Sequence, residues 1–310
     1  MILRSNGQRF PNWLEKNLLK LLAWLHRRLS VTVRLDDKGH QSLYRCDTVL
    51  DAARPMSLWV KEAGTMRWLD TELRAGDVFL DIGANIGIYS IAAAHRVGAK
   101  GKVYAFEPHA ANAVTLLQNL QLSALSDRVS VLTCPLSDRA GAASFNYLSL
   151  RSSSSGSQFG HSKAPGEDRD FAPVVIEIKL ATTVDDLIAN KTIVTPSHVK
   201  IDVDGNELNI LKGMRKLLVD KNRPRSVQVE LNVGVQDAIV TFLKEHSYDL
   251  AARHHTAIGQ KLSAQGVELE NIAHNAIFRP SKIMRRPDRA ANRQAPRPRR
   301  TIARAAPSAR

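Results

Sequence analysis

The chain has 310 residues, with 44 Lys and Arg against 30 Asp and Glu, and a formal charge of +14 at pH 7. That length holds one sizeable core with additions, or at most two small domains. Cys46 and Cys134 are the two cysteines, too few and too far apart for a disulfide framework or a CxxC metal site, and no apolar run approaches the roughly 18 residues of a membrane span.

The charge is unevenly spread. Residues 281–310 carry ten Lys or Arg against Asp288 alone, and residues 1–40 carry eight against Glu15, Asp36 and Asp37. The 240 residues between hold 26 basic and 26 acidic side chains. The core is therefore neutral, and the basicity belongs to the ends, where it attracts anionic surfaces without sequence selectivity. Residues 1–11 show no apolar h-region, so a reducing, cytoplasmic setting is expected, with peripheral contact to anionic membrane as an option.

Residues 11–29 predict an amphipathic helix, with Leu14, Leu18, Leu21, Leu22, Leu25 and Leu29 on one face and Asn12 and Glu15 spaced as a capping box. Such a helix either packs on the core or lies on a membrane or partner. Residues 31–50 predict short strands about an Asp36-Asp37-Lys38-Gly39 turn. From residue 75 the pattern changes to apolar strand, glycine turn, helix and strand, repeated. This alternation predicts a parallel sheet covered on both faces. Residues 150–173, rich in Ser and Gly, predict a long mobile loop, and strands follow near 174–180, 199–203 and 227–231. Residues 248–253 and 275–278 predict a closing antiparallel pair. After Pro280 the chain is too rich in Arg, Ala and Pro to build a core and is expected to be disordered. The expected divisions are 1–60, 61–280 and 281–310.

The chemistry concentrates in Asp81-Ile82-Gly83-Ala84-Asn85-Ile86-Gly87 and in Glu107, which ends the second strand 26 residues after Asp81. A glycine turn lets a ligand approach the main chain, and a carboxylate at the end of the next strand accepts ribose hydroxyls. A dinucleotide fingerprint requires glycine where Asn85 stands. A diphosphate would be crowded there, which argues for a nucleoside without phosphate over a nicotinamide cofactor. Lys200 and Asp202 lie two apart on an apolar strand and so share a face, where a charged pair must be paired or used. Glu230, ending the next apolar strand, points to the same carboxyl edge, and Glu207 opens a helix. These three acids are candidates for positioning the donor or for assisting acceptor deprotonation, against a reading of Asp202 and Glu207 as a structural ion pair and a helix-start acid. No cluster of His, Cys and Asp has metal-ligand spacing.

Together with Phe106-Glu107-Pro108, Leu136-Ser137-Asp138, Thr183-Val184-Asp185, Lys200 to Glu207 and Leu211-Lys212-Gly213, these motifs resemble the FkbM-type methyltransferases over residues 76–243. Asp204 and Pro135 depart from the family's commoner Glu and Ala. The resemblance implies a Rossmann-like class I fold, a mostly parallel seven-stranded sheet with helices on both faces, S-adenosylmethionine as donor, and a hydroxyl acceptor on a sugar, glycan or secondary metabolite. It puts Asp81, Gly83, Asn85, Gly87, Glu107, Ser137 and Asp138 in the donor site. Three rivals remain in view: a nucleic-acid methyltransferase, disfavoured because the chain has no Pro-Pro and no aromatics interleaved with its basic ends; an NAD(P)-dependent oxidoreductase, disfavoured by Asn85; and a binding module that has lost its chemistry.

Overall fold

The computed structural model describes residues 13–28, 31–163, 169–268 and 271–281. The chain divides after Pro280, and the basic tail, expected to be disordered, lies outside the described residues from 282 onward.

The chain opens with α1 (Trp13–Arg28), followed by a hairpin of β1 (Val31–Asp37) and β2 (His40–Cys46). The turn is held by the Gly39 N–H donating to Asp36 Oδ1 at 2.9 Å. Next come α2 (Val49–Met56), α3 (Leu58–Lys61) and α4 (Ala63–Glu72). Thr48 caps α2 in a reciprocal box with Asp51, which satisfies two otherwise orphaned N–H groups. Arg96 then ties Asp37 of the hairpin to Asp70 of α4.

The main α/β core runs β3 (Val78–Ile82), α5 (Ile88–Val97), β4 (Lys102–Phe106), α6 (Ala110–Leu122) and β5 (Val129–Leu132). An excursion through β6 (Gly141–Tyr147), β7 (Gln158–Phe159) and β8 (Val175–Ala181) forms a separate three-stranded antiparallel sheet. The core resumes with α7 (Val184–Ala189), β9 (His198–Ile201), α8 (Glu207–Lys212), α9 (Arg215–Val219) and β10 (Ser226–Leu231). It closes with α10 (Gln236–Glu245), β11 (Tyr248–His254), α11 (Ala257–Ala264) and β12 (His274–Pro280).

The large sheet has seven strands in the order β11-β12-β10-β9-β3-β4-β5. Neighbours from β10 to β5 pair in parallel, and β12 runs antiparallel to both β10 and β11. This is the expected class I arrangement, including the closing antiparallel pair. Alternate strand residues feed opposite layers. Phe79, Val103 and Ala105 enter the core under α4, α5 and α6, whereas Leu80, Ile82 and Phe106 enter the core under α7 to α10. The chain leaves β3 in one direction and returns through β9 in the other. In open α/β sheets, ligands bind at the carboxyl edge of such a switch point.

One expectation needs correcting. Residues 150–173 are not a structureless loop: they contain β7, and Ser153 and Gln158 are both 2% exposed. Their small hydroxyl and amide side chains bond to the core instead of to water, a pattern that composition alone does not reveal. Residues 164–168 lie outside the described part.

Candidate active site

The β3 turn is built on close backbone contacts. Gly83 has φ +83° and its N–H donates to the Phe106 carbonyl at 3.0 Å. A Cβ at this position would overlap the Asp202 carbonyl oxygen of the neighbouring strand end. Glycine is thus required where β3 and β9 meet. Asn85 is also left-handed, at φ +51°, which Asn tolerates. Its N–H donates to Glu107 Oε2 at 2.6 Å, and its side-chain amide donates to the Ser154 carbonyl at 3.1 Å. Gly87 serves packing, since a Cβ there would strike the Leu116 side chain of α6.

These contacts border a cavity that opens to solvent. Glu107 lies on its wall. Its Oε1 accepts the His109 N–H at 2.8 Å, so each carboxylate oxygen takes one backbone donor and keeps acceptor capacity for a hydroxyl. Burial pushes this carboxyl up to about 7. Asn112 lines the same wall, and its Oδ1 is buried without a partner. Among the described residues no Lys or Arg lines the cavity, whereas Glu107, Asp202 and Asp204 do. Those groups fit a cationic nucleoside and would repel a diphosphate. The roof comes from the segment around Ser154, Ser155 and Gly156, fastened by the Gly156 N–H to Asp204 Oδ2 at 2.8 Å and by Gln158 Nε2 to the Asp204 carbonyl at 2.7 Å.

A second cavity of about 1050 Å³ adjoins the first and shares Ser155, Asp202 and Asp204 with it. Arg54, Lys61, Glu62, Tyr89 and Glu230 line its far side. Asp202 has 30% of its side-chain surface open. Burial would raise its carboxyl, but the Lys200 ammonium 2.9 Å away outweighs that and holds it below the usual range. Lys200 is 1% exposed, sits over the Tyr89 ring and lies 3.8 Å from Asp81. Glu230 behaves oppositely. Burial, with the Asp202 charge next in weight, raises it well above the usual value, so it keeps its proton and hydrogen-bonds Asp202. Burial pushes Glu62 up to about 7 as well. Asp202 on the shared wall thus has a lowered carboxyl, while Glu230 and Glu62 on the far side of the second cavity have raised ones, the kind of separation that acid–base chemistry uses.

Of the predicted residues, Gly83, Asn85 and Glu107 line the first cavity, Glu230 the second, and Asp202 both. Asp81 is fully buried beneath them, accepting Ser90 Oγ at 2.6 Å. Glu207 lines neither cavity. Its Oε1 accepts from the Val203 and Gly205 N–H groups and from Asn232, which fixes the loop carrying Asp204. Ser137 and Asp138 face a separate depression beside β6, because Leu136 bridges to Thr182 and turns the chain away. Pro135 and Leu136 line the donor cavity instead. Sequence reasoning missed Asn112, the 154–156 roof, Arg54, Glu62 and Tyr89. Asn112, three residues after His109 at the start of a predicted helix, was the one with a usable positional signal.

The methyltransferase FkbM domain profile matches residues 81–250. The chain belongs to the FkbM methyltransferase family. It is 33% identical over 184 residues to the hexuronic acid methyltransferase AglP of Haloferax volcanii, covering 59% of this chain and 67% of that protein. It is 28% identical over 204 residues to the 31-O-demethyl-FK506 methyltransferase FkbM of Streptomyces tacrolimicus, covering 58% and 76%. Among solved structures, the methyltransferase FkbM of Methylobacillus flagellatus aligns with a TM-score of 0.43 and 16% identity, over 69% of this chain and half of that one. As an FkbM-family methyltransferase the chain uses S-adenosylmethionine as donor, which sets aside the nicotinamide reading. None of the described helices is long and apolar enough to cross a membrane.

Proposed function

We propose that this FkbM-family enzyme methylates a hydroxyl oxygen on a sugar, glycan or polyhydroxylated metabolite. In this reading the donor lies along Glu107 and the acceptor fills the second cavity. The observation that carries it is the place of Asp202, on the wall common to both cavities and ionised beside Lys200. When bound, S-adenosylmethionine supplies a methyl group on a positively charged sulfur. Glu107 offers its free acceptor positions to the ribose hydroxyls, and Asn112 Oδ1 accepts one further donor. Asp202 would accept the acceptor's hydroxyl proton when that oxygen bonds the methyl carbon and the carbon–sulfur bond breaks, the sulfur leaving as a neutral thioether. Glu230 keeps its own proton and holds Asp202 toward the shared wall. The carboxyl groups of Glu62, Asp202, Asp204 and Glu230 and the hydroxyls of Ser57, Tyr89 and Thr256 suit an acceptor with several hydroxyls. The relatives' names, which give a hexuronic acid and an O-demethylated compound as acceptors, agree with an oxygen target. A screen with methyl-labelled donor against sugars, uronic acids, polyols, amines and nucleobases tests this. Label in an ether-linked product is the expected result, and label only in amine or base acceptors would overturn it.

We also infer that α1 contacts anionic lipid. Trp13, Leu14 and Leu21 are at least half exposed on it, and the surrounding residues 1–40 are net basic. An apolar face with basic flanks suits a membrane surface. Co-sedimentation with anionic vesicles should fall on Leu14→Asp/Leu21→Asp. Unchanged binding by that variant would contradict the inference.

A further inference from the structure

The small sheet has the order β7-β6-β8, so β8 is an edge strand with one side unpaired. Its exposed face is unusually apolar. Ile176, Ile178 and Leu180 are 60%, 69% and 73% exposed and alternate along one face of the strand. The opposite face carries Glu177, which accepts the Tyr147 hydroxyl, and Lys179, which lies over the Phe145 ring. Long, apolar, unprotected edges are rare in natural proteins unless something pairs with them.

The direction of the free backbone groups follows from the ladder. The Ser144 carbonyl turns from β6 toward Gly160, on the β7 side. The odd residues of β6 therefore bond to the odd residues of β8, in the register Phe145–Glu177 and Ala143–Lys179. Thr182, an even residue, accordingly points away from β6, and its N–H and C=O bond to Pro135 and Ser137. By the same alternation, Ile176, Ile178 and Leu180 direct their N–H and C=O groups off the open side. The 135–137 segment blocks that side at Thr182 and leaves the stretch from 176 to 180 free.

We propose that β8 pairs antiparallel with β8 of a second copy of this chain about a two-fold axis through Ile178. That register is self-complementary. Ile178 meets its own copy, Ile176 meets Leu180 of the second copy, and Glu177 meets Lys179 of the second copy twice over. The outward backbone groups of Ile176, Ile178 and Leu180 complete each other, and the two small sheets join into one of six strands. Shifting the register by one residue would mismatch the open backbone groups. Shifting it by two would set one end of the apolar row against Thr182 or Val174 and bring Lys179 against Lys179, or Glu177 against Glu177, of the second copy. Cross-strand apolar and opposite-charge pairs favour the proposed alignment, and the contact is isologous, the commonest symmetry of homodimers. β6 lines the first cavity through Phe145, so the dimer would brace one wall of that cavity in both copies.

The test is sedimentation equilibrium on the full chain, with donor titration as the control for folding. The wild type is expected to show a reversible dimer. Ile178→Pro removes an outward N–H without removing a bond to β6, and should raise the dimer dissociation constant at least about tenfold while donor binding persists. Lys179→Glu should also weaken the dimer, and the double change Glu177→Lys/Lys179→Glu should restore it. Under mild oxidation, Ile178→Cys should cross-link and Ile176→Cys should not, since only position 178 meets itself at a separation a disulfide spans. A monomer at every concentration, a dimer indifferent to Ile178→Pro, or cross-linking at 176 as readily as at 178 would overturn the proposal. So would vesicle binding that depends on Ile178 without any dimer.

Discussion

The first and second cavities, proposed for donor and acceptor, share Ser155, Asp202 and Asp204, yet they are built in different ways. One β-α-β unit supplies part of the first cavity, although the roof comes from 154–156 and other walls from 134–136 and 202–204. Gly83, Asn85 and Glu107 stand within 25 residues of one another, and backbone N–H groups fix the Glu107 carboxylate. The acceptor side is assembled from distant segments: Arg54 on α2, Lys61 on α3, Tyr89 on α5 and Glu230 on β10. The first is a local consequence of strand and turn chemistry. The second depends on tertiary packing, and specificity can change there without disturbing the donor.

The harshest way to break this comparison is at the point where the two halves touch. Gly83→Val would drive a branched side chain into the Asp202 carbonyl at a left-handed φ. It is expected to cost roughly 2–4 kcal/mol of stability and to abolish donor binding. A melting curve with a donor titration checks both, and a variant that binds donor normally would show that β3 and β9 need not meet so closely.

A donor-side change should leave the acceptor side alone. Glu107→Ala is expected to weaken donor binding by roughly 1.5–3 kcal/mol, the scale of a hydrogen bond to a charged group. Turnover at saturating donor should change far less, as measured by calorimetry and initial rates.

The buried carboxyls sharpen the comparison through pH. Burial pushes Glu62, Glu107 and Glu207 each up to about 7. Folded, they hold protons that the unfolded chain releases near pH 4.5. Their contribution to stability is therefore complete below that pH and lost as pH rises through about 7. The melting temperature of the donor-free enzyme should fall over that window. Donor affinity should move the other way, because ribose hydroxyls favour ionised Glu107, by roughly fivefold to tenfold between pH 6 and 8. Glu107→Gln should flatten the affinity profile.

The smallest effect is expected beyond the cavities. Asp138→Asn should change donor affinity by less than about twofold, since Asp138 faces a different depression. A larger loss would return the Leu136-Ser137-Asp138 motif to the donor site.

Much of the donor half was legible in the sequence, for physical reasons. Continuous apolar strands alternating with helices identify a buried parallel sheet, and a strand-ending acid after a glycine turn follows from ribose chemistry. What such patterns do not tell is whether a motif residue reaches the ligand. Asp81 and Gly87 carry the motif but serve Lys200, Ser90 and Leu116. Glu207 opens α8, as the helix-start reading has it, and its carboxylate also clamps the Asp204 loop. The Ser-rich segment was misread because its order comes from bonds to Asp204, Asp51 and Arg54, which are distant in sequence. Arg54, Glu62 and Tyr89 carry no local pattern at all. Only the fold brings them together.

On the proposed reading, Asp202 on the wall shared by the two cavities carries the chemistry. Asp202→Asn tests it most directly, by single-turnover methyl transfer beside calorimetric donor binding. A donor dissociation constant within about threefold of the wild type, with the transfer rate down roughly 10²- to 10⁴-fold, is the predicted result. An unchanged transfer rate per folded molecule, with the loss appearing only as reduced stability, would contradict it and leave Asp202 as a structural partner of Lys200.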